Sequence, residues 1–320
     1  MKPMNKLAVD IIKKGIDMAD ELKVEILNIG GATVVDAGVK ASGSIDAGIV
    51  VSKVCLGGLA AVSLTPLLIE DIVLPAVAVS TDHPIESCIA SQLAGWRIRV
   101  GDFFANGSGP ARVLAKKPRK LLESIGYTEQ SDEAALVLET SRMPSEDVIK
   151  YIGNETGVES KNIYIMVVAP NSIAGSVQVS ARIVETGIFK FNTIGFDIKC
   201  IRYGFGVCPI APLHPDPLVM MGRTNDMLLY GGSTYYIVSY PDDAKLEEYV
   251  KKTPSSSSRD YGKSFVVLVK QFGEEILYKV DPNVFAPAMV TVNNVSSGRT
   301  FKAGYINISV IKNSIALSLG

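Results

Sequence analysis

Arg182 and Glu185, three residues apart, are the pair in this chain best suited to acid–base chemistry. Residues at that spacing lie on one face of a helix, so a guanidinium and a carboxylate can share a site there. The pair belongs to residues 175–187, which predict a helix that ends at Gly187 and follows an apolar strand at 163–170. A surface ion pair has the same spacing and is the alternative interpretation. The preceding strand favours a pocket edge, because a strand leading into a helix commonly places polar groups beside a ligand.

Glu139 is a second candidate carboxylate. It ends the apolar segment 134–139, which predicts a strand. The carboxyl end of a strand is the usual position of site residues in an α/β sheet. A solvated charge at a strand end is the alternative.

Two further segments combine glycine with polar side chains. Residues 107–112, Gly-Ser-Gly-Pro-Ala-Arg, predict a turn that enters a helix, where backbone amides and Arg112 favour a phosphate or carboxylate. An ordinary turn is the alternative. Residues 222–226, Gly-Arg-Thr-Asn-Asp, place donors and acceptors between apolar runs, although Thr224 capping a helix explains part of that pattern.

Residues 169–187, Ala-Pro-Asn-Ser-Ile-Ala-Gly-Ser-Val-Gln-Val-Ser-Ala-Arg-Ile-Val-Glu-Thr-Gly, resemble the central signature of the methenyltetrahydromethanopterin cyclohydrolase family. Four more blocks follow the family's order along nearly the whole chain. They are Val-Cys-Leu-Gly-Gly-Leu-Ala at 54–60, Thr-Asp-His-Pro at 81–84 with Ala-Gly-Trp at 94–96, Gly-Ser-Gly-Pro-Ala-Arg at 107–112, and Met-Gly-Arg-Thr-Asn-Asp-Met-Leu-Leu-Tyr-Gly-Gly at 221–232.

The resemblance implies an enzyme that reversibly hydrolyses 5,10-methenyltetrahydromethanopterin to the 5-formyl compound in the one-carbon metabolism of methanogenesis. It assigns the role of general base and acid to Glu185, with Arg182 as electrostatic partner and Glu139 as a second catalytic carboxylate. Arg182 favours the ionised form of Glu185 and burial favours the neutral form, and the sequence does not rank the two effects. The residues predicted to bind substrate are Asp82, Gly107, Ser108, Gly109, Arg112, Gln178, Arg223, Asn225 and Asp226.

No separate cofactor is expected, because tetrahydromethanopterin is the carrier of the substrate itself. The family includes homotrimers, so the resemblance implies a homo-oligomer. One position departs from the family pattern, in which many members have lysine where this chain has Leu93. That departure supports an alternative, a pterin-binding paralogue with little catalytic activity. A cyclic-amidine hydrolase that uses another one-carbon carrier is a third interpretation.

Composition excludes several classes of function. With 32 basic and 33 acidic residues the chain has no bulk positive charge to attract nucleic acid. The apolar region 47–80 is interrupted by Lys53 and Glu70 and contains glycine and proline, so it does not predict a membrane span. The start of the chain lacks the apolar block of a signal peptide, which predicts a cytoplasmic protein. Only two histidines, His83 and His214, and no Cys-x-x-Cys pair are present, so no metal site is expected.

The order of the predicted elements indicates an α/β (α+β) fold. Residues 1–128 predict an N-terminal α+β domain, with a helix at 4–22 and a hairpin around 30–31, and residues 281–320 are expected to complete it. Strands and helices alternate over 129–280, which predicts an α/β domain. We expect the active-site pocket between the two domains, since ligand sites favour such positions.

Overall fold

The computed structural model describes residues 2–70, 72–272 and 279–315, and the chain divides into two compact units. The first unit comprises Met1–Ala61 and Ile85–Gln178, and the second comprises Val62–Pro84 and Val179–Gly320. Each unit contains one six-stranded mixed sheet with helices, so the α/β fold of two domains predicted from the sequence is confirmed.

The sheet of the first unit has the strand order β1-β2-β8-β7-β6-β5. Its strands are β1 Glu25–Ile29, β2 Ala32–Asp36, β5 Trp96–Val100, β6 Phe103–Ser108, β7 Ala134–Glu139 and β8 Ile163–Val168. The central strands β2, β8 and β7 are parallel, and their carboxyl ends therefore lie at one edge of the sheet. Antiparallel pairs flank them on both sides, β1 with β2 and β6 with both β7 and β5.

Helices cover both faces of this sheet. They are α1 Met4–Ile16, α2 Ala19–Leu22, α3 Ile45–Cys55, α4 Ala111–Leu114, α5 Arg119–Ile125, α6 Glu146–Thr156 and α7 Ile173–Ser180, within which the unit ends; residues Ile85–Gln92 form a π-helix. Both faces of β7 are buried, because its successive side chains point to opposite faces of the sheet. Leu136 and Leu138 pack with α6 in one core cluster, whereas Ala135 and Val137 pack with α1 and α3 in another.

The second unit is built on the sheet β12-β11-β10-β9-β4-β3. Its strands are β3 Ala61–Ile69, β4 Ile72–Thr81, β9 Ile201–Pro209, β10 Ser233–Val238, β11 Met289–Asn294 and β12 Thr300–Gly304. Its helices are α8 Ile183–Thr193, α9 Pro217–Asp226, α10 Asp243–Lys252, α11 Phe265–Phe272 and α12 Ile308–Ser314, with a π-helical turn at Met227–Gly231 directly after α9. β10 pairs in parallel with β11 and antiparallel with β9, so this sheet is also mixed.

The two units differ from the domain ranges that the sequence predicts. β7 and β8 pair with β6 and β2, so residues 134–168 join the first unit rather than a separate domain beginning at 129. β11 and β12 pair with β10, so residues 289–304 join the second unit and do not complete the N-terminal one. Pairing between strands that are distant in sequence decides the division, and chain order alone does not reveal it.

Candidate functional site

Glu139 lies at the carboxyl end of β7, on the edge of the first sheet where the parallel strands end. Gln178 on α7 donates a hydrogen bond from Nε2 to Oε2 of Glu139 over 2.7 Å. Gln178 is only 1% exposed, so this contact is shielded from competing water. The structure thus joins a predicted catalytic carboxylate to a predicted substrate-binding amide within one unit.

Helix α7 reaches this position because it follows β8 through a short turn, as the sequence predicts. The hydroxyl of Ser172 accepts a hydrogen bond from the backbone N–H of Gly175 at 3.0 Å, which caps the first turn of the helix. The parallel pairing of β8 with β7 then brings the helix that leaves β8 to the same edge as Glu139.

Gly107 and Ser108 are the last residues of β6 and lie beside the strand that carries Glu139. Gly107 pairs with Leu138 and Ser108 with Val137, while Asn106 pairs with Glu139 itself. Gly109 follows with a φ of +106°, a backbone conformation that favours glycine. These residues form a polar strand end next to Glu139. The predicted helix follows them as α4, which has only four residues.

The surroundings of the Arg112 side chain differ from the anion-binding site predicted for it. Its side chain is fully buried, and Nη1 donates to the backbone carbonyls of Ala90 at 3.1 Å and Ser91 at 3.0 Å. The carbonyl oxygens near the end of the π-helix therefore bind the guanidinium. Arg112 joins two segments of the first unit, and the anion-binding role predicted from its charge is not supported by this burial.

In the second unit, Arg182 and Glu185 form the predicted contact, but the helices around them differ from the single helix predicted. The helix predicted to end at Gly187 is two helices, since α7 ends at Ser180 and α8 runs from Ile183 to Thr193. Arg182 is the residue before α8, and Glu185 lies in its first turn. A carboxylate in the first turn of a helix is stabilised by the unpaired N–H groups there.

The distance from Nη1 of Arg182 to Oε2 of Glu185 is 3.3 Å. Their side chains are 12% and 7% exposed, whereas most other ion pairs of the described residues lie on the surface. Partial burial strengthens the interaction between the charges and raises the cost of removing either partner. The contact therefore differs from the surface ion pair that was the alternative interpretation.

The prediction that α8 ends at Gly187 is wrong, and packing gives the reason. The hydroxyl of Tyr236 on β10 donates to the carbonyl of Val184 at 2.8 Å, and a Cβ at position 187 would overlap that hydroxyl. The glycine permits close approach of α8 to the sheet, and the helix continues through it. Tyr236 is fully buried and was not predicted, since an alternating strand contains no signal for this contact.

The polar residues of α9 connect loops of the second unit instead of forming an open polar surface. Nη1 of Arg223 donates to the carbonyls of Pro212 at 3.0 Å and Leu213 at 3.1 Å, and Nε donates to Ser314. Asn225 donates to the Met221 carbonyl of its own helix. Thr224 lies inside α9, and Asp216 caps that helix.

Asp226 is fully buried and holds the start of α11. It accepts hydrogen bonds from the Ser264 hydroxyl at 2.7 Å and from the backbone N–H of Phe265 at 2.6 Å. Burial raises the pKa of this carboxyl to about 6, against the opposing effect of its hydrogen bonds. The structure gives Arg223 and Asp226 structural roles, which differ from the pterin contacts predicted for them.

Asp82 follows the last residue of β4 and is exposed. The backbone N–H of its neighbour His83 donates to the Thr81 hydroxyl at 3.0 Å, which fixes the turn. The substrate contact of Asp82 stays a prediction.

Sequence reasoning missed Asp36, at the carboxyl end of β2 in the first unit. Its buried carboxylate accepts from the backbone N–H groups of Gly38, Val39, Lys40 and Ala41. The signal was the one used for Glu139, an acidic residue that ends an apolar strand. Asp36 organises the loop after β2 at the edge where Glu139 lies.

Within residues 2–70, 72–272 and 279–315, no group of three or more His, Cys, Asp or Glu side chains is placed to hold a metal ion. No helix in that part of the chain has both the length and the apolar content needed to cross a membrane.

Comparison with known proteins gives consistent matches over nearly the whole chain. The profile of the family described as Cyclohydrolase (MCH) matches residues 3–315. A methenyltetrahydromethanopterin cyclohydrolase of Methanococcoides burtonii is 45% identical over 318 residues, 99% of each chain. The proteins of the same name from Methanocaldococcus jannaschii and Methanosarcina barkeri are each 43% identical over 319 residues, covering 98% and 99% of each chain.

Proposed function

Because this chain belongs to the methenyltetrahydromethanopterin cyclohydrolase family, we propose that it reversibly hydrolyses 5,10-methenyltetrahydromethanopterin to 5-formyltetrahydromethanopterin. It is a cyclohydrolase, a hydrolase that opens a cyclic carbon–nitrogen bond. The observation that carries our assignment of residues is the partly buried contact between Arg182 and Glu185. The methanogen relatives support a place in one-carbon metabolism.

In the proposed mechanism Glu185 moves a proton between water and the substrate. The oxygen of water adds to the cationic methenyl carbon as Glu185 accepts one of its protons. Glu185 then returns that proton to the leaving nitrogen as the ring carbon–nitrogen bond breaks. The remaining hydroxyl proton is released as the formyl carbonyl forms, so one proton is produced for each cation hydrolysed. Mild acid should therefore shift the equilibrium toward the cyclic cation.

Arg182 has two roles in this proposal. Its guanidinium holds the Glu185 carboxylate in one orientation at 3.3 Å. The substrate is a cation that becomes neutral as hydroxide adds, so a fixed positive charge nearby disfavours the bound substrate relative to the less charged transition state. Because the bound cation is destabilised more than the transition state, the free-energy barrier between them is lower and the reaction is faster.

Glu139 is the proposed second carboxylate. The hydrogen bond that Gln178 donates holds one of its oxygens in a fixed position. We propose that Gly107, Ser108 and Gly109 at the end of β6, and Asp82 after β4, contribute to substrate binding.

The test follows the loss of ultraviolet absorption of the methenyl chromophore in the wild type, Glu185→Gln and Glu146→Gln. Glu146 is a matched control, an exposed glutamate in the first turn of α6. Fast loss with the wild type and the control, and at least about 100-fold slower loss with Glu185→Gln, is the expected result. Full activity of Glu185→Gln would transfer the role of base to another group, with Glu139→Gln as the next variant.

The alternative function is a pterin-binding protein with little turnover, and Leu93 is the observation that favours it. Leu93 is half-buried after the π-helix of the first unit, and its N–H bonds to the Cys88 carbonyl. Tight binding of the methenyl substrate without loss of absorption would support this alternative, and Leu93→Lys should then restore turnover. Turnover of methenyltetrahydrofolate but not of the methanopterin compound would support the third interpretation.

We also propose a cytoplasmic homo-oligomer. Exposed apolar side chains on β3 and β4, Leu64, Leu68 and Val73, support self-association. Light scattering at micromolar concentration tests the oligomer, for which a trimer is the expected mass and a monomer would contradict it. Fractionation of cells tests the location.

A further inference from the structure

The first unit contains a cavity that none of the predicted site residues lines. Its volume is about 560 Å³, and we call it the α5 cavity. It is lined by Val113, Leu114, Lys116, Arg119, Leu122, Glu123, Gly126, Tyr127, Thr128, Glu129, Gln130, Ser131 and Thr156. A volume in this range suits a drug-sized or smaller organic molecule.

The α5 cavity lies far from Glu139 within the same unit. Residues 126–131 line it and lead into the amino end of β7, whereas Glu139 is at the carboxyl end of that strand. Six residues of extended strand span about 17 Å at roughly 3.3 Å per step. A ligand in the cavity would therefore occupy a site distinct from the edge that carries Glu139.

The lining combines an apolar floor with an aromatic wall. Val113 and Leu122 are 4% and 5% exposed, and they pack with Met4 and Ala90 in one buried cluster. Tyr127 is half-buried against the same cluster. Such a surface favours the aliphatic or aromatic body of a ligand.

The acidic residues of the lining already have hydrogen-bond or ion-pair partners. The Glu129 carboxylate accepts from the backbone N–H groups of Met4 at 2.8 Å and Asn5 at 2.9 Å at the start of α1. Tyr127 also donates to it at 3.1 Å, and burial together with this carboxylate raises the pKa of the phenol. Glu123 binds Arg119 at 2.8 Å.

The basic side chains of residues 116–120 do not all form ion pairs. Residues 116–120, Lys-Lys-Pro-Arg-Lys, place four cations at this part of the unit. Lys117 pairs with Glu155 and Arg119 with Glu123, whereas Lys116 forms no ion pair with any described residue. Lys116 has a φ of +54° because it ends α4, where its N–H donates to the Val113 carbonyl and the next N–H donates to the Arg112 carbonyl. Lys116 is therefore the basic residue of the lining that pairs with no carboxylate of the described residues, whereas the negative charge of Glu129 is held by N–H groups at the amino end of α1.

We propose that the α5 cavity binds a small amphipathic anion, an aromatic or aliphatic body that carries a carboxylate or phosphate. The body packs on Val113, Leu122 and Tyr127, and the anionic group pairs with Lys116. This site is separate from the proposed catalytic residues, and binding there does not depend on the proposed function.

The test uses the fluorescent probe 8-anilinonaphthalene-1-sulfonate, whose sulfonate stands for the carboxylate or phosphate, with neutral N-phenyl-1-naphthylamine as its matched control. The sulfonate should bind one site per chain about fivefold more tightly than the neutral probe. Lys116→Asn, which tolerates the left-handed backbone, should remove that preference, whereas Lys116→Arg should retain it. Lys14→Asn on α1 removes an exposed charge elsewhere and should change neither affinity.

A second variant tests the cavity without changing its charge. Thr128→Trp fills the space from its exposed rim and should abolish specific binding of both probes, with unchanged thermal unfolding. Equal affinity of the two probes for the wild type, an unchanged preference in Lys116→Asn, or unaltered binding in Thr128→Trp would overturn the proposal. Displacement of the sulfonate by saturating methenyl substrate would also overturn it, because the site would then be the substrate site.

Discussion

The Tyr236 hydroxyl on β10 donates to the backbone carbonyl of Val184 at 2.8 Å, one residue before Glu185. This bond ties the first turn of α8 to the second sheet. It requires Gly187, because any side chain at that position would overlap the same hydroxyl. The position of the proposed base thus depends on a tyrosine and a glycine that have no chemical role.

Gly187→Ala should lower kcat about tenfold or more, because the new Cβ displaces either α8 or Tyr236. We expect a loss of stability of about 1 to 3 kcal/mol from the same overlap. Adding Tyr236→Phe removes the hydroxyl and should restore part of both losses, while Tyr236→Phe alone should have a smaller effect than Gly187→Ala. Methenyl hydrolysis and urea unfolding of the four proteins check this. Additive losses in the double variant would contradict the proposed contact.

The regular elements were predictable where the apolar pattern was strong. β7 and β8 occupy 134–139 and 163–168, almost as the sequence predicts, and the hairpin of β1 and β2 turns at Gly30 and Gly31. Strands β2, β7 and β8 are buried or half-buried apolar runs, so local pattern and tertiary role agree. The contact of Arg182 with Glu185 was predictable for the same reason, since it joins near neighbours in the chain.

The remaining features depend on partners that are distant in sequence. Arg112 and Arg223 were predicted to bind substrate, but backbone carbonyls from other segments accept hydrogen bonds from them. Asp226 reads as a polar side chain for a ligand, yet it caps α11 from 39 residues away. Tertiary packing decides whether a polar side chain contacts a ligand or a backbone group. The spacing of residues along the chain does not show which of the two it contacts.

Gln178→Leu should lower kcat/KM by about tenfold to thirtyfold, because it removes the donor that holds Glu139 at 2.7 Å. Leucine is similar in size, so the buried helix should keep its packing. In Glu139→Gln the carboxylate is already absent, and adding Gln178→Leu should therefore cost little more. Steady-state kinetics of the two single variants and the double variant measure this coupling. Fully additive losses would show that Gln178 acts on the substrate independently of Glu139.

Arg182→Gln should destabilise the folded protein more than Arg182→Gln combined with Glu185→Gln. The single change leaves a carboxylate that is 7% exposed without its cation, at a cost of about 2 kcal/mol. The second change removes that charge, so stability should recover while activity stays low. Urea unfolding at pH 7 and the absorbance assay separate the two effects. A double variant as unstable as Arg182→Gln would show that the guanidinium stabilises the fold through other contacts.

Asp226→Asn should change how stability depends on pH between about 4 and 6. Burial raises the pKa of Asp226 from its ordinary 3.8 to about 6. Below pH 4 the carboxyl is largely protonated in both the folded and the unfolded protein. As pH rises, the unfolded chain loses this proton first, so the folded state loses up to about 3 kcal/mol of stability by pH 6 to 7 and little beyond.

Asparagine at position 226 keeps an oxygen for Ser264 and Phe265 but has no proton to lose. The free energy of unfolding of the wild type minus that of Asp226→Asn should therefore decrease from pH 4 to pH 7, as measured by urea unfolding at unit intervals. A difference that stays constant or increases with pH over this range would contradict a buried carboxyl that titrates near 6.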